Sequence, residues 1–260
     1  MYLKVLAQLG KFNMHQRIAN ATFQVISGNS SGSGFSFFHE SLVVTNFHVV
    51  SNKIDISTRS TLGDVLLRSE NNEEYYAEIR MADPLSDFAV LRLRNKLSTG
   101  REVLQPSKSF TQNRGAKLIF AGFPHGIPHL LTSEAVLSAP FENDHFYLDG
   151  MVNGGNSGGP IVNIDDGKVV GIVTQRRYLG AENADVIAHN AKELASDLRA
   201  STGFVRIGGI DLAGLNKMYA ESLGAIVEMM KLNANSGIGI GFPIAPVTAI
   251  VEEGLSDYIR

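Results

Sequence analysis

Residues 153–160 read Asn153-Gly154-Gly155-Asn156-Ser157-Gly158-Gly159-Pro160. Four glycines surround one serine, and the apolar pair Ile161 and Val162 follows directly. Glycine loses the most conformational freedom on folding, so such a cluster indicates a backbone that goes where a side chain would clash. The stretch predicts either a glycine-rich hairpin or a nucleophilic serine on a tight loop whose main-chain N–H groups form an oxyanion hole. A base and an orienting acid elsewhere in the chain would favour the nucleophile.

A histidine and an aspartate upstream fit those two roles. A serine hydroxyl is a weak nucleophile until a neighbouring base takes its proton, and imidazole titrates in the right range. His48 follows the run 42–47, Leu-Val-Val-Thr-Asn-Phe, which is typical of a buried strand ending in a turn. Asp87 immediately precedes the apolar run 88–93. A half-buried carboxylate there needs a donor such as an imidazole N–H.

Three other carboxylates are rivals of Asp87 for the role of the acid: Asp55, Asp144 and Asp149. Neither Asp144 nor Asp149 precedes an apolar strand as Asp87 does. Asp55 alternates with apolar residues within a strand and is predicted to face solvent. The position of Asp87 therefore makes it the preferred candidate.

The histidines also raise the question of a metal site. His125, His129 and His145 are near one another in sequence, but they have no neighbouring carboxylate or cysteine that would complete a ligand set. The chain has no cysteine at all, which excludes disulfides and thiolate metal sites. We therefore expect surface histidines and no bound metal.

The composition is that of an ordinary globular chain. Of the 260 residues, 44% are hydrophobic and 19% charged, which is enough to build a substantial core. The net charge of −3 and the lack of a basic run argue against a nucleic-acid binder. Since there is no apolar run long enough to cross a membrane and no secretory leader, we expect no membrane association and a cytoplasmic location.

Hydrophobic patterning predicts a mainly β protein. Short apolar runs broken by turn residues recur between residues 22 and 93 and again between 117 and 174, which indicates a barrel or a sandwich. The polar segment 94–112 is the best linker. Helical spacing follows in 181–200, and Asp211 is a plausible N-cap of a second helix. Residues 237–242 return to a β pattern, and 246–258 predict a terminal helix.

Three motifs together carry a family resemblance. The segments 45–50 (Thr-Asn-Phe-His-Val-Val), 87–91 (Asp-Phe-Ala-Val-Leu) and 155–160 (Gly-Asn-Ser-Gly-Gly-Pro) resemble the signatures of trypsin-like serine peptidases, in the His, Asp, Ser order of the chymotrypsin fold. Gly32-Ser33-Gly34-Phe35 and the last β segment, 237–242, resemble the HtrA/Deg group of bacterial members. The resemblance covers residues 21–180 and 237 onward.

The resemblance implies two chymotrypsin-like β-barrels. On this basis the chain divides into an N-terminal segment (1–20), a first barrel (21–105), a second barrel with a C-terminal helix (106–180 and 236–260) and a helical insertion (181–235). The family carries only a short loop where this chain has the 58 residues 178–235. We expect the insertion to be a helical hairpin that controls the site or binds a regulatory protein partner.

The resemblance also assigns roles. It makes Ser157 the nucleophile, His48 the general base and acid, and Asp87 the residue that orients His48. The N–H groups of Gly155 and Ser157 would form the oxyanion hole, and the hydroxyl of Thr174 would support Asp87. No cofactor is implied. Asn156 stands where digestive trypsins carry the aspartate that receives a freed N-terminus, so activation by cleavage is not expected.

Specificity follows from the residues at the pocket positions of the family. Met151 and Val152 occupy the base of the pocket, where no acid is available to pair a substrate Lys or Arg, so cleavage after small or medium apolar residues is expected. The substrate main chain would pair with Thr174, Gln175 and Arg176 as an added strand. The implied partner is a protein or peptide substrate.

A second departure from the family, besides the insertion, bears on the function. The 14 residues after Pro246 leave no room for the PDZ domain that HtrA proteins usually carry, which favours a stand-alone or partner-regulated peptidase. The alternative is a protease-like binding or scaffold protein that has lost turnover and uses the insertion as its interaction surface. The complete set of three motifs counts against that alternative.

Overall fold

In the first half of the chain, buried and exposed side chains alternate along the strands. Strand 74–83 shows this pattern clearly, since Tyr75, Ala77 and Ile79 are buried between exposed or half-buried neighbours. In chain order the elements are α1 (14–21), β1 (Thr22–Ser27), β2 (Ser30–Ser36), β3 (Leu42–Thr45), α2 (Phe47–Val50), a 3₁₀ turn (Ser51–Lys53), β4 (Ile54–Asp55), β5 (Ser60–Thr61), β6 (Val65–Arg68), β7 (Glu74–Asp83) and β8 (Phe88–Leu93).

The computed structural model describes residues 14–55, 57–58, 60–125, 127–141, 145–176, 181–200, 206–207, 210–233 and 237–259. Within these ranges, six strands close a first antiparallel barrel in the order β1-β2-β3-β8-β7-β6. Its interior is filled by fully buried apolar side chains, among them Phe23, Val43 and Leu91. Burial of this apolar surface is the main force that closes the barrel.

A second barrel and a separate helical unit make up the rest of the chain. The elements are β9 (Lys117–Gly122), β10 (Leu131–Pro140), β11 (Phe146–Asp149), β12 (Pro160–Asn163), β13 (Val169–Arg176), α3 (Ala181–Ala200), β14 (Arg206–Ile207), β15 (Ile210–Asp211), α4 (Leu212–Asn233), β16 (Ile238–Pro243) and α5 (Ile244–Tyr258). The second barrel closes in the order β10-β11-β16-β13-β12-β9. The predicted fold class, mainly β with two chymotrypsin-like barrels and helices in the C-terminal half, is confirmed.

The two barrels share one continuous apolar cluster. Phe35, Val44 and Phe88 of the first barrel belong to the same buried group as Ile119 and Phe242 of the second. The Phe88 and Phe242 rings stack with centroids 6.0 Å apart. This cluster fixes the barrels against each other, and so it sets the spacing of the polar residues at the edge of their interface.

Helix α5 packs on that cluster through Ile244, Val247 and Val251. The sequence predicts a start at Pro246, but the helix begins two residues earlier, at Ile244. A proline in the first helical turn gives up no intrahelical hydrogen bond, because the N–H groups there have no partner in any case.

Residues 177–236 form their own compact unit, distinct from the unit that contains both barrels. In it α3 and α4 pack on each other, and Ala195, Ala220 and Val227 are buried. Asp211 Oδ1 accepts a hydrogen bond from the N–H of Ala213 at 3.1 Å, as its predicted capping role requires. Among the residues that the structure describes, no helix combines the length and the apolar character needed to cross a membrane.

The predicted domain boundaries fall in different kinds of segment. The boundary at residues 105/106 lies in the connection between β8 and β9, which pairs only through the isolated bridges Phe37–Leu104 and Pro106–Val169. The boundaries at 180/181 and 235/236 adjoin segments outside the described residues. The helices of the insertion lie within the described residues, whereas its junctions with the second barrel do not.

Candidate active site

His48 lies in the first turn of α2, directly after β3. Because β3 is hydrogen-bonded to β2 on one side and to β8 on the other, the chain that leads to His48 is held firmly. His48 Nδ1 lies 2.8 Å from Asp87 Oδ2 and 3.0 Å from Oδ1, and the His48 N–H donates to Oδ1 at 3.0 Å. The structure thus brings the predicted base and the predicted acid into direct contact. A carboxylate at Nδ1 favours the tautomer that leaves Nε2 as the proton acceptor.

Asp87 has an unusual backbone conformation. Its φ of +50° lies in the left-handed region, which a non-glycine residue adopts only where its surroundings hold it. Asn46 Nδ2 donates to the main-chain oxygen of Asp87 at 2.7 Å, and Thr174 Oγ1 donates to Oδ2 at 2.9 Å. These bonds, together with those from His48, keep the carboxylate turned toward the imidazole.

Ser157 lies on the loop between β11 and β12, at the edge of the second barrel. Its Oγ donates to the main-chain oxygen of Thr174 at 3.1 Å, and its own main-chain oxygen accepts from the Ser33 N–H at 2.8 Å. Thr174 therefore joins the two halves of the site, since its hydroxyl binds Asp87 and its carbonyl binds Ser157. Asp87 in turn binds His48, so Thr174 links the predicted nucleophile to the predicted acid and base; among the described residues the Ser157 hydroxyl bonds to Thr174 and not to His48.

The N–H groups of Gly155 and Ser157 are the two that are predicted to form an oxyanion hole. Among the described residues they donate to no protein acceptor, whereas the N–H of Asn156 between them donates to the Asn153 carbonyl at 3.1 Å. Gly155 is buried, and buried N–H groups are rarely unpaired. The arrangement can accept an anionic or polarised oxygen next to Ser157.

The glycines of this loop adopt conformations and contacts that a side chain would prevent. Gly155 and Gly158 have φ of +95° and +88°. A Cβ on Gly155 would lie 2.3 Å from the Phe123 carbonyl oxygen. The glycines therefore reflect close packing of the loop, and the role of Ser157 as nucleophile stays a prediction.

Asn156, the neutral residue at the trypsin aspartate position, is buried at 3% exposure. Its Oδ1 has no hydrogen-bond partner among the described residues. A carboxylate at this position would be a buried charge, which is strongly unfavourable without a counter-ion. The neutral amide avoids that cost.

The predicted specificity residues lie in contrasting environments. Met151 is 61% exposed, whereas Val152 is 2% exposed and packs in the core of the second barrel. This placement puts Val152 in the barrel wall, so its direct contact with a substrate stays a prediction. Gln175 and Arg176 continue β13, but their side chains lie outside the described residues.

Among the described residues, one edge of β13 has no strand partner beyond Val173. β12 pairs with β13 as far as Ile172, and the Val173 N–H and C=O bond to Gly159 and Gly158, whereas β16 pairs with Gln175 and Arg176 on the opposite side. An open strand edge of this kind can accept an extended peptide through main-chain hydrogen bonds.

The alternative candidates are placed elsewhere. Asp55 accepts hydrogen bonds from Ser57 and Thr58 in an exposed turn, and these bonds lower the pKa of its carboxyl. Asp144 lies outside the described residues. Within those residues no group of His, Cys, Asp or Glu side chains is arranged to hold a metal ion.

Two supporting residues carry no role in the sequence analysis. Thr45 and Asn46 are fully buried polar residues at the end of β3, and Thr45 Oγ1 donates to the Ser33 carbonyl at 2.6 Å. The sequence feature that could have identified them is the change from Leu-Val-Val to Thr-Asn at the end of a buried strand. Since buried polar groups need partners, this change marks a place where the strand meets another polar segment.

Comparisons with known proteins agree with this geometry. The family described as trypsin-like peptidase domain matches residues 32–172. Serine protease HTRA3 of Homo sapiens is 33% identical over 161 residues, covering 58% of this chain and 34% of that protein. A probable periplasmic serine endoprotease DegP-like protein of Ectopseudomonas mendocina is 30% identical over 210 residues, covering 75% and 41%. The chain thus spans from about a third to two fifths of the length of these curated relatives.

A solved structure shares the fold. The crystal structure of the serine endoprotease from Yersinia pestis superposes with a TM-score of 0.60 at 20% identity, covering 95% of this chain and 67% of that one. At this identity the likeness supports the two-barrel fold alone.

Proposed function

Because the chain belongs to the trypsin-like peptidase family, and within it to the HtrA group, we propose that it is a serine endopeptidase that cleaves protein or peptide substrates. The observation that carries the proposal is the hydrogen-bonded series from His48 through Asp87 and Thr174 to Ser157. It supplies a base, an orienting acid and a hydroxyl at one edge of the barrel interface, the three groups that nucleophilic catalysis by serine uses.

The reaction proceeds through an acyl-enzyme. Ser157 Oγ attacks the scissile carbonyl carbon while His48 Nε2 takes the hydroxyl proton, and His48 then gives that proton to the leaving amine as the C–N bond breaks. A water molecule attacks the ester in the second half, again with His48 as the base, and releases the carboxylic acid. Asp87 keeps the imidazole oriented and stabilises its charged form throughout.

The hydroxyl of Ser157 changes partner at the start of this cycle. At rest it donates to the Thr174 carbonyl. A substrate strand along the open edge of β13 offers its own N–H to that carbonyl and so frees the Ser157 hydroxyl to donate to His48. Substrate binding and activation of the nucleophile are then parts of one event.

The oxyanion forms between the N–H groups of Gly155 and Ser157. The Gly154 carbonyl accepts from the His125 N–H at 2.7 Å, and the C=O and N–H of a trans peptide point to opposite sides. The Gly155 N–H therefore points away from the His125 main chain. Donors fixed in advance in this way typically contribute about 10²–10³ in turnover each.

We assign the preferred cleavage site to peptide bonds that follow small or medium apolar residues. Met151 offers an apolar surface, and no carboxylate stands at this position to pair a basic side chain. An apolar pocket distinguishes residues that differ by one methylene only by about 10–200-fold, so a graded preference is expected rather than a single residue.

The function is tested by labelling and cleavage with one preparation. A fluorophosphonate should label the folded chain on Ser157, located by mass spectrometry, and should not label the heat-unfolded chain. A peptide library should then be cleaved after small or medium apolar residues, and prior labelling should abolish this cleavage. Absence of both labelling and cleavage would show a binding or scaffold protein instead. Cleavage with a strong preference for Arg, Lys or Glu would overturn only the pocket assignment.

We further propose that residues 181–235 bind a regulatory protein partner. The support is an apolar stripe on α4, where Met218, Tyr219 and Ile226 are each more than half exposed. Several exposed apolar side chains on one helix are typical of an interaction surface.

Deletion of residues 181–233 tests the regulatory role. Arg176 and Gly239 are partners in the β13–β16 ladder, so a short turn can join the two strands after the deletion. The deletion is expected to change kcat/KM for a peptide substrate by about fivefold or more, the low end of typical coupling between sites. Unchanged turnover in a variant with the wild-type melting temperature would contradict the proposal.

A further inference from the structure

Ser33 is a buried serine with hydrogen bonds to both sides of the nucleophile. It lies on β2 between Gly32 and Gly34, in the first barrel, and is fully buried. β2 pairs with β1 and with β3, so its position is fixed independently of the loop that carries Ser157. The mechanism described above gives Ser33 no role.

Four hydrogen bonds meet at this one residue. The Ser33 N–H donates to the Ser157 carbonyl at 2.8 Å, and its Oγ donates to the Gly155 carbonyl at 2.7 Å. The same Oγ accepts from the Phe123 N–H at 2.9 Å, and the Ser33 carbonyl accepts from Thr45 Oγ1 at 2.6 Å. Ser33 thus connects the first barrel to the two residues whose N–H groups are unpaired.

These bonds act on the part of the loop that is freest to rotate. Glycine at φ +95° resists rotation of the neighbouring peptides less than any other residue would. The two carbonyls flanking the Gly155 α-carbon are both held, that of Gly154 by the His125 N–H and that of Gly155 by the Ser33 hydroxyl. With both peptides anchored, the direction of the Gly155 N–H is determined.

We infer that Ser33 is a positioning residue of the oxyanion hole: it holds the loop so that the N–H groups of Gly155 and Ser157 converge on one oxygen. The inference rests on the proposed peptidase function. Ser33 touches no substrate, and its effect passes entirely through the loop. Because a misplacement of about 1 Å at a reacting group can lower turnover about 10²-fold, the loss of this anchor should be visible in kinetics.

The site accepts a serine and little else. A Cβ on Gly122 would lie 2.8 Å from Ser33 Oγ, so there is no spare space around the hydroxyl. An alanine would leave both the Gly155 carbonyl and the Phe123 N–H without this partner. Unpaired polar groups in a buried site find new partners by moving, and here the group that can move is the loop.

The test compares Ser33→Ala with Ser36→Ala. Ser36 lies on the same strand and is fully buried, but its Oγ has no hydrogen-bond partner among the described residues, so it controls for the loss of a buried hydroxyl from β2. Ser33→Ala is expected to lower kcat for a peptide substrate, and the rate of fluorophosphonate labelling, by about 10–100-fold. KM should stay within about twofold, because an interaction made only in the transition state does not change substrate binding. Ser36→Ala should keep wild-type kinetics.

The outcomes separate this inference from the proposed function. If the wild-type chain labels and S33A labels at the same rate, the positioning role is wrong while the peptidase function stands. If the wild-type chain does not label, the peptidase function itself has failed. Equal losses of kcat in S33A and S36A would show that the loss comes from general packing of β2 and not from the Ser33 hydrogen bonds, which also overturns the inference.

A further variant keeps the test decisive should S33A fail to fold. Ser33→Cys keeps an unbranched side chain but offers only a weak S–H donor, so its kcat should fall below that of the wild-type chain. Equal kcat for S33C and the wild-type chain, at the same melting temperature, would contradict a role for the hydrogen bond.

Discussion

Replacing Asp87 with asparagine is expected to lower kcat by about 10⁴-fold while leaving the barrels folded. The carboxylate now accepts from His48 Nδ1 and from the Thr174 hydroxyl. An amide of nearly the same shape can turn its NH₂ toward Nδ1. The imidazole then carries its proton on Nε2 and can no longer take one from Ser157.

The matched control is Asp83→Asn. Asp83 is the last residue of β7, beside the turn that carries Asp87, and its Oδ1 accepts from the N–H groups of Leu85 and Ser86 at 2.9 and 3.3 Å. Both bonds stay within the turn, so D83N should retain most activity. The measurement is kcat/KM for a fluorogenic peptide together with the melting temperature. A D87N enzyme within tenfold of wild type, or a D83N enzyme as damaged as D87N, would contradict the assigned role.

Replacing Gly158 with alanine is expected to destabilise the chain by about 4 kcal/mol or more and to abolish turnover. Gly158 has φ +88°, and a Cβ there would lie 2.1 Å from the Ser33 carbonyl oxygen and 2.4 Å from Thr45 Oγ1. The Ser33 carbonyl belongs to a paired strand of the first barrel and Thr45 Oγ1 donates to it, so a Cβ cannot be accommodated without disturbing that strand or breaking this hydrogen bond. The loop must therefore lift away from the barrel interface.

Gly63→Ala separates the clash from the backbone conformation. Gly63 has a similar φ of +95°, but a Cβ there would meet no atom within 4 Å. Gly63→Ala should therefore lower the free energy of unfolding by only about 1–2 kcal/mol, which is the cost of placing a non-glycine residue in a left-handed conformation. Urea unfolding of both variants gives the comparison. Equal losses of unfolding free energy in the two variants would show that the steric argument for Gly158 is wrong.

Local patterns in the sequence predicted the elements of the fold well. The alternation in β7 and the continuous apolar run of β8 come directly from side chains that are buried on one face or on both. The secondary structure of residues 47–50 was harder to predict. The sequence predicts a turn there, but residues 47–50 form a short helix, since the β-branched pair Val49 and Val50 packs on the first barrel from a helical turn.

The candidate site was predictable only where the chemistry lies within a short motif. His48, Asp87 and Ser157 each sit in a recognisable local run. The residues that hold them do not, because their partners are remote in sequence: Ser33 and Gly155 are separated by 122 positions, and Asn46 and Asp87 by 41. A hydrogen bond between segments that are far apart in sequence produces no periodic pattern in that sequence. The left-handed conformation of Asp87 likewise depends on partners that only the fold assembles.

The place of β16 in the second barrel bears on the order in which the parts of the candidate site are completed during synthesis. β16 closes the barrel between β11 and β13, yet residues 177–236 are made before it. At about 5–20 residues per second, translation of these 60 residues separates β13 from its closing strand by roughly 3–12 s. His48, Asp87 and Ser157 are therefore all synthesised before the strand that closes the second barrel, so the complete site forms only after residues 177–236 have been made.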